Sequence, residues 1–210
     1  MADIYVYAYV EDEPTKAVLK KMIEYVNSYS RNRFLFCNGA PVITRGYGNL
    51  KNTACRFLRA EKSGIWSIFV TDLDQFETVH SLCNNWFGLS CFRQLPSQMI
   101  FRIAVREVES WIIADKEGIA EFLNVAVANF TDLPDNISDP KQFIFKVIRH
   151  KCRNKKYQEM LPLRGQAIGI EYNPQIVSFI TNNWNIENAM NKSPSLKRAI
   201  QCFASRLSSI

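Results

Sequence analysis

Hydrophobic and polar positions over the first 123 residues fall into two alternating patterns. Ile4-Tyr5-Val6-Tyr7-Ala8-Tyr9-Val10 is β-branched and aromatic, has no breaker, and is apolar on both faces. That pattern predicts a strand buried between helix layers. An acidic turn, Glu11-Asp12-Glu13-Pro14-Thr15, leads into Ala17, Val18, Met22, Ile23 and Val26, which recur at helical spacing with lysines between them. Residues 41–45 predict a short second strand, broken by Gly46-Tyr47-Gly48-Asn49-Leu50-Lys51. A helix with Leu50, Ala54, Phe57 and Leu58 inside follows, to about Lys62. Residues 65–71 predict a third strand ending in Asp72-Leu73-Asp74, and a helix spans about 77–87. Residues 99–105 predict a fourth strand, and Arg106-Glu107-Val108-Glu109-Ser110-Trp111 opens a helix to about Leu123.

Strands separated by helical crossovers give a mostly parallel sheet flanked by helices, so residues 1–123 read as a four-stranded α/β core. Residues 124–210 show helical patterns broken by Pro-, Asn- and Asp-rich loops, and read as a helical C-terminal extension. The longest uncharged apolar run is far short of the ~20 residues a membrane span needs, and the N-terminus has no basic and apolar leader. Six scattered cysteines and two histidines offer no Cys-x-x-Cys pair and no zinc-ligand spacing. They read as reduced, mostly buried thiols of a cytoplasmic protein.

The acids are where chemistry enters. Ligands of open parallel sheets bind beyond the carboxyl ends of the strands. Three predicted strands end in acids: Glu11 beside Asp12 and Glu13, Asp72 with Asp74, and Glu107 with Glu109. Strand alternation lets Asp72 and Asp74 project together while Leu73 packs inward. Carboxylates gathered at one edge repel unless a cation neutralises them, and hard oxygen ligands suit Mg²⁺ or Mn²⁺. Structural alternatives stand beside this: Asp12 or Thr15 as a helix cap, and the acids as ion-pair partners of nearby arginines. Asp115 falls on the apolar stripe of Val108, Trp111, Ile112, Ile119 and Phe122, so it needs a partner, with Arg102, Arg106 and Lys141 available.

These motifs resemble a known family. Val10-Glu11-Asp12-Glu13 before a helix, Asp72-Leu73-Asp74 after an apolar strand, and residues 102–115 (RIAVREVESWIIAD) are similar to uncharacterised prokaryotic proteins of the DUF4276 type, a branch of the TOPRIM superfamily. The resemblance extends to residues 46–51, Asp139-Pro140-Lys141, Gly169, Tyr172 and Ser193-Pro194-Ser195-Leu196. It implies a TOPRIM-like α/β fold in which Glu11, Asp72 and Asp74 hold Mg²⁺ and Glu107 and Glu109 add metal binding or catalysis. It also implies the activity of a nuclease, an ATPase partner protein, and a role in antiphage or genome defence. The usual Glu-Gly of TOPRIM domains is Glu11-Asp12 here.

Charge points the same way. The net charge is +6, and residues 121–210 carry 12 Lys and Arg against 7 Asp and Glu. Much of the excess is one acid-free run, Arg149, Lys151, Arg153, Lys155 and Lys156. Such a run fits a phosphate backbone, or equally the solvated end of a helix. Arg102, Arg106 and Lys141 are further candidates for phosphate oxygens. The functional expectation is a Mg²⁺- or Mn²⁺-dependent nucleic-acid phosphodiester hydrolase. The alternative is a non-catalytic nucleic-acid-binding or effector subunit working with an ATPase. Receiver and haloacid-phosphatase arrangements fit less well, because the Asp-x-Asp follows the third predicted strand.

Overall fold

The central strand β1 (Asp3–Val10) sets the geometry of everything around it. The computed structural model describes residues 2–60, 64–89 and 94–209, so the predicted helix end at Lys62 and the thiol of Cys91 lie outside the described residues. The chain divides into two compact units, residues 1–104 with 198–210, and residues 105–197.

In the first unit, β1 runs into α1 (Glu13–Tyr29), followed by β2 (Arg33–Phe36), β3 (Val42–Ile43), α2 (Tyr47–Arg59), β4 (Trp66–Asp72), α3 (Val79–Phe87) and β5 (Met99–Ala104). All four strand pairings among the described residues are parallel. The path is β2-β1-β4-β5, with β3 also on β1. Residues 6–9 of β1 pair with β4, residues 3–6 with β2 and residues 9–10 with β3. A strand has two edges, so β2 and β3 must share one of them in tandem. Five strands therefore stand where the pattern predicts four. The missed strand, Arg33-Phe34-Leu35-Phe36, is too short to show a period, and its pairing to β1 is what makes it a strand.

Helices flank both faces of this sheet. The register sets Phe34 beside Ile4, and Phe203 of α10 (Pro194–Ser208) packs on Phe34 with ring centroids 6.5 Å apart. On the opposite face, Phe57 of α2 packs on Tyr7 and Tyr9. Burial along β1 alternates. Ile4, Val6, Ala8 and Val10 are buried, whereas Tyr5 is 63% exposed and Tyr7 and Tyr9 are half-buried. The expectation of a strand buried on both faces is corrected: α2 covers only the carboxyl half of the tyrosine face.

The second unit is helical: α4 (Val108–Ile113), α5 (Lys116–Leu123), two short 3-10 turns, α6 (Pro140–Lys151), α7 (Lys155–Gln158), α8 (Tyr172–Asn182) and α9 (Ile186–Lys192). Its core gathers Trp111, Phe145, Tyr172 and Phe179, all with almost no exposure. The single helix expected from residue 106 to 123 is two. The Asp115 carboxylate accepts from the Gly118 N–H at 3.3 Å and starts a new helix instead of continuing the old one. Asp115 also accepts from the Asn185 N–H (2.7 Å) and the Asn188 amide (3.4 Å), so its partners are neutral donors and not the expected arginines or lysine. The division between units falls at residue 104 where the patterning places it at 123. The reason is that α4 packs on α6 and α9, so its apolar stripe belongs to the helical core.

Candidate active site

Parallel strands deliver their ends to one edge of the sheet. The register that sets Tyr9 beside Phe69, continued by two residues, brings Glu11 beside Thr71. The Thr71 hydroxyl donates to Glu11 Oε1 at 2.5 Å. The Glu11 carboxyl is pushed up from its ordinary range, first by burial and then by the charges of Asp74 and Asp12. The Thr71 hydroxyl and the Asp72 backbone N–H act against that rise by favouring the ionised form. Leu73 is buried, with its N–H on the Ala104 carbonyl, so the chain turns beyond β4. Asp74 takes φ +49° there, a left-handed conformation that Asp tolerates better than most residues. Asp12 is a structural residue, because its carboxylate caps α1 and accepts from the Thr15 N–H (2.9 Å) and hydroxyl (2.6 Å).

Tyr47, the first residue of α2, joins this edge. Its pKa is raised by burial, against a lowering hydrogen bond from Trp86, and raised further by the charges of Glu11 and Asp74. The Trp86 indole N–H donates to the Tyr47 hydroxyl at 2.6 Å, and that hydroxyl donates to Asn85 Oδ1 at 3.2 Å. Lys51 Nζ donates to the same Asn85 oxygen at 2.9 Å, one helical turn beyond Tyr47. The Tyr47 hydroxyl thus feels the charges of the acids, and Lys51 shares the Asn85 oxygen with it.

Among the described residues no group of three or more His, Cys, Asp or Glu side chains is close enough together to cage a metal ion. Mg²⁺ needs less than a cage, because it commonly takes one or two carboxylates and keeps several waters. Glu11 with Asp74, mutually repelling and made of hard oxygens, fits that ion. The contribution of Asp72 in this arrangement is its backbone N–H on Glu11.

No protein-family model, curated protein or solved structure matches this chain.

The second unit holds its own acid cluster. Glu109 is fully buried; it accepts from the Tyr172 hydroxyl at 2.8 Å and lies 3.4 Å from Lys141 Nζ. Glu107, the cap residue of α4, accepts from the Lys141 backbone N–H at 2.9 Å, in the first turn of α6. Its carboxyl is pushed up to about 7, first by burial and then by the Glu109 charge, with Lys141 opposing. Glu107 and Glu109 therefore share one site even though their offset, if helical, points them apart. Glu107 stays extended at the cap (φ −130°, ψ 162°), and only Glu109 is helical.

The expected phosphate-binding cations differ in kind. Lys141 is committed to Glu109. Arg102 in β5 is largely buried beside Cys202 of α10, and its Nε has no hydrogen-bond partner among the described residues. Arg106 is half-buried. Arg149, Lys151, Arg153, Lys155 and Lys156 are all exposed, and among the described residues none of them forms an ion pair. Lys156 lies over the Tyr157 ring at 5.7 Å.

Thr71, Tyr47 and Lys51 were not legible as site residues. Thr71 reads as the last apolar-compatible position of a strand, and Tyr47 and Lys51 sit in a segment that reads as a turn. Tyr172 enters only through the family resemblance.

Proposed function

We propose that this protein is a Mg²⁺-dependent phosphodiester hydrolase acting on nucleic acid, with a TOPRIM-like use of its sheet edge. The observation that supports it best is the hydrogen bond from Thr71 to Glu11, which fixes that acid beyond the carboxyl ends of parallel strands, under the charge of Asp74. Glu11 and Asp74 are the residues that would hold Mg²⁺ or Mn²⁺, with Asp72 supporting Glu11 through its backbone N–H. A divalent ion held there would supply polarisation of a phosphate and a lowered pKa of water. Glu11, oriented by the Thr71 hydroxyl, takes the proton of the attacking water. Tyr47 and Lys51 supply a hydroxyl and a positive charge for phosphate oxygens. Glu107, with Lys141 and Glu109 about it, holds or releases a proton near neutral pH.

Incubation with plasmid, single-stranded DNA and RNA, each with Mg²⁺, Mn²⁺ or EDTA, tests this reading. Cleavage is expected with metal and absent in EDTA. Glu11→Gln and Asp74→Asn should each lower it by about a hundredfold or more. Full activity in these variants removes the assignment.

The exposed, unpaired cations of residues 149–156 favour a second reading. In it the protein is a non-catalytic nucleic-acid-binding or effector subunit of an ATPase partner in genome defence. Tight binding with no cleavage under any metal selects it.

A further inference from the structure

The tyrosine face of the sheet carries a cleft that the acid site does not use. Its volume is about 880 Å³, within the range of small-molecule sites. Glu11 and Asp74 do not line it. Its apolar wall is Tyr9 and Phe57, with ring centroids 5.4 Å apart, and Ile65 extends it. Tyr9 and Phe57 are both half-buried, so part of each ring faces the opening.

The polar rim is equally defined. Arg56, Asn49 and Asn52 line the cleft and are exposed. Arg56 donates to the Thr53 hydroxyl at 3.3 Å and has no carboxylate partner among the described residues. Asn49 spends its amide N–H groups on the Thr44 and Arg45 carbonyls, which leaves its carbonyl oxygen to accept. Asn52 makes no side-chain hydrogen bond among the described residues. Among the described residues none that lines the cleft is acidic.

We propose that this cleft binds a nucleoside monophosphate, free or as one unit of a strand, with the base against Tyr9 and Phe57 and the phosphate at Arg56. An aromatic wall takes a planar base of any identity. The Asn49 carbonyl oxygen and the Asn52 amide read a base edge, which carries both donors and acceptors. A guanidinium with no carboxylate partner among the described residues selects an anion and prefers phosphate geometry. A second copy of the chain fits less well, since a self-complementary contact needs an acid to meet Arg56, and a chain of net charge +6 repels itself.

The choice of ligand rests on the nucleic-acid reading above, whereas the binding needs no metal. Calorimetric titration of the full chain in EDTA with AMP, adenosine and ribose 5-phosphate is the test. Saturable AMP binding is expected, about tenfold or more tighter than binding of either fragment. Arg56→Gln should weaken AMP about tenfold and leave adenosine unchanged, while Phe57→Leu should weaken both. Glu11→Gln should leave AMP binding intact even if it abolishes cleavage, so the two proposals fail separately. Competition of AMP by a 5′-phosphorylated oligonucleotide assigns the unit to a strand, and lack of competition assigns it to the free nucleotide. No saturable binding of AMP, equal binding of ribose 5-phosphate and AMP, or an unaltered Arg56→Gln variant overturns the proposal. So does a dimer in sedimentation that Arg56→Gln or Phe57→Leu dissociates.

Discussion

Glu107 is a residue whose charge changes near neutrality. Below about pH 4.5 the folded and unfolded chains both hold its proton. Between there and about pH 7 the folded chain keeps a proton that the unfolded chain has released. Stability contributed by that proton is present at the acid end and is lost as pH rises through this window. Glu107→Gln is neutral throughout. In EDTA, the Tm of the variant minus that of the wild type should therefore increase from about pH 5 to about pH 8. A constant difference would show that Glu107 does not titrate there. Asp115 is a different case, buried among neutral donors. Asp115→Ala leaves the Gly118 and Asn185 N–H groups unsatisfied and should cost about 2–4 kcal/mol in urea unfolding. A cost below about 0.5 kcal/mol would mean that these bonds are replaced by water.

Two elements depend on the lack of a side chain or on a single cap. A Cβ on Gly169 would fall on the Glu159 carbonyl and within 2.5 Å of the Leu161 carbonyl, both backbone atoms that cannot swing away. The Gly169 N–H also donates to the Met160 carbonyl, which locks the two segments together ahead of α8. Gly169→Ala should destabilise by roughly 1–3 kcal/mol, read as a lower urea midpoint. An unchanged midpoint would mean that the loop relaxes. At the start of α10, the Ser193 hydroxyl accepts from the Leu196 N–H at 3.2 Å, with Pro194 first in the helix. Ser at the cap with Pro at the first helical position is the favoured start of a helix. The break between α4 and α5 is the opposite case. Apolar periodicity runs straight across it, and only the donors around Asp115 turn one helix into two.

At the scale of the molecule, residues 198–210 belong with residues 1–104. Phe203 is fully buried on Phe34, and the Leu207 carbonyl accepts from the Asn32 amide at 3.1 Å. Phe203→Ala should cost about 3–5 kcal/mol, since it opens a cavity under the sheet. A smaller loss would place this segment outside the cooperative core. The exposed run of residues 149–156 sets a second expectation. Replacing Lys151, Arg153 and Lys155 by Gln should make log K against log salt shallower by up to about three for duplex DNA, if all three meet phosphates. An unaltered slope would leave the run as the solvated end of α6. No helix of the described residues is long and apolar enough to cross a membrane.

The α/β alternation, four of the five strands and the acids at strand ends were legible in the residue pattern, and Asp12 was one of two cap candidates there. These follow from period, breakers and the rule that parallel strands finish on one edge, all local or topological. Tertiary structure alone decided what touches what. The register of β1 on β4 brings Thr71 to Glu11, α2 carries Tyr47 and Lys51 to the same edge, and α6 presents its N–H to Glu107. It also decided that the tyrosine face stays partly open, because the coverage of a face depends on the helix laid across it and leaves no mark in the strand's own alternation. Contacts made across tens of residues are fixed by packing, and packing has no period to read.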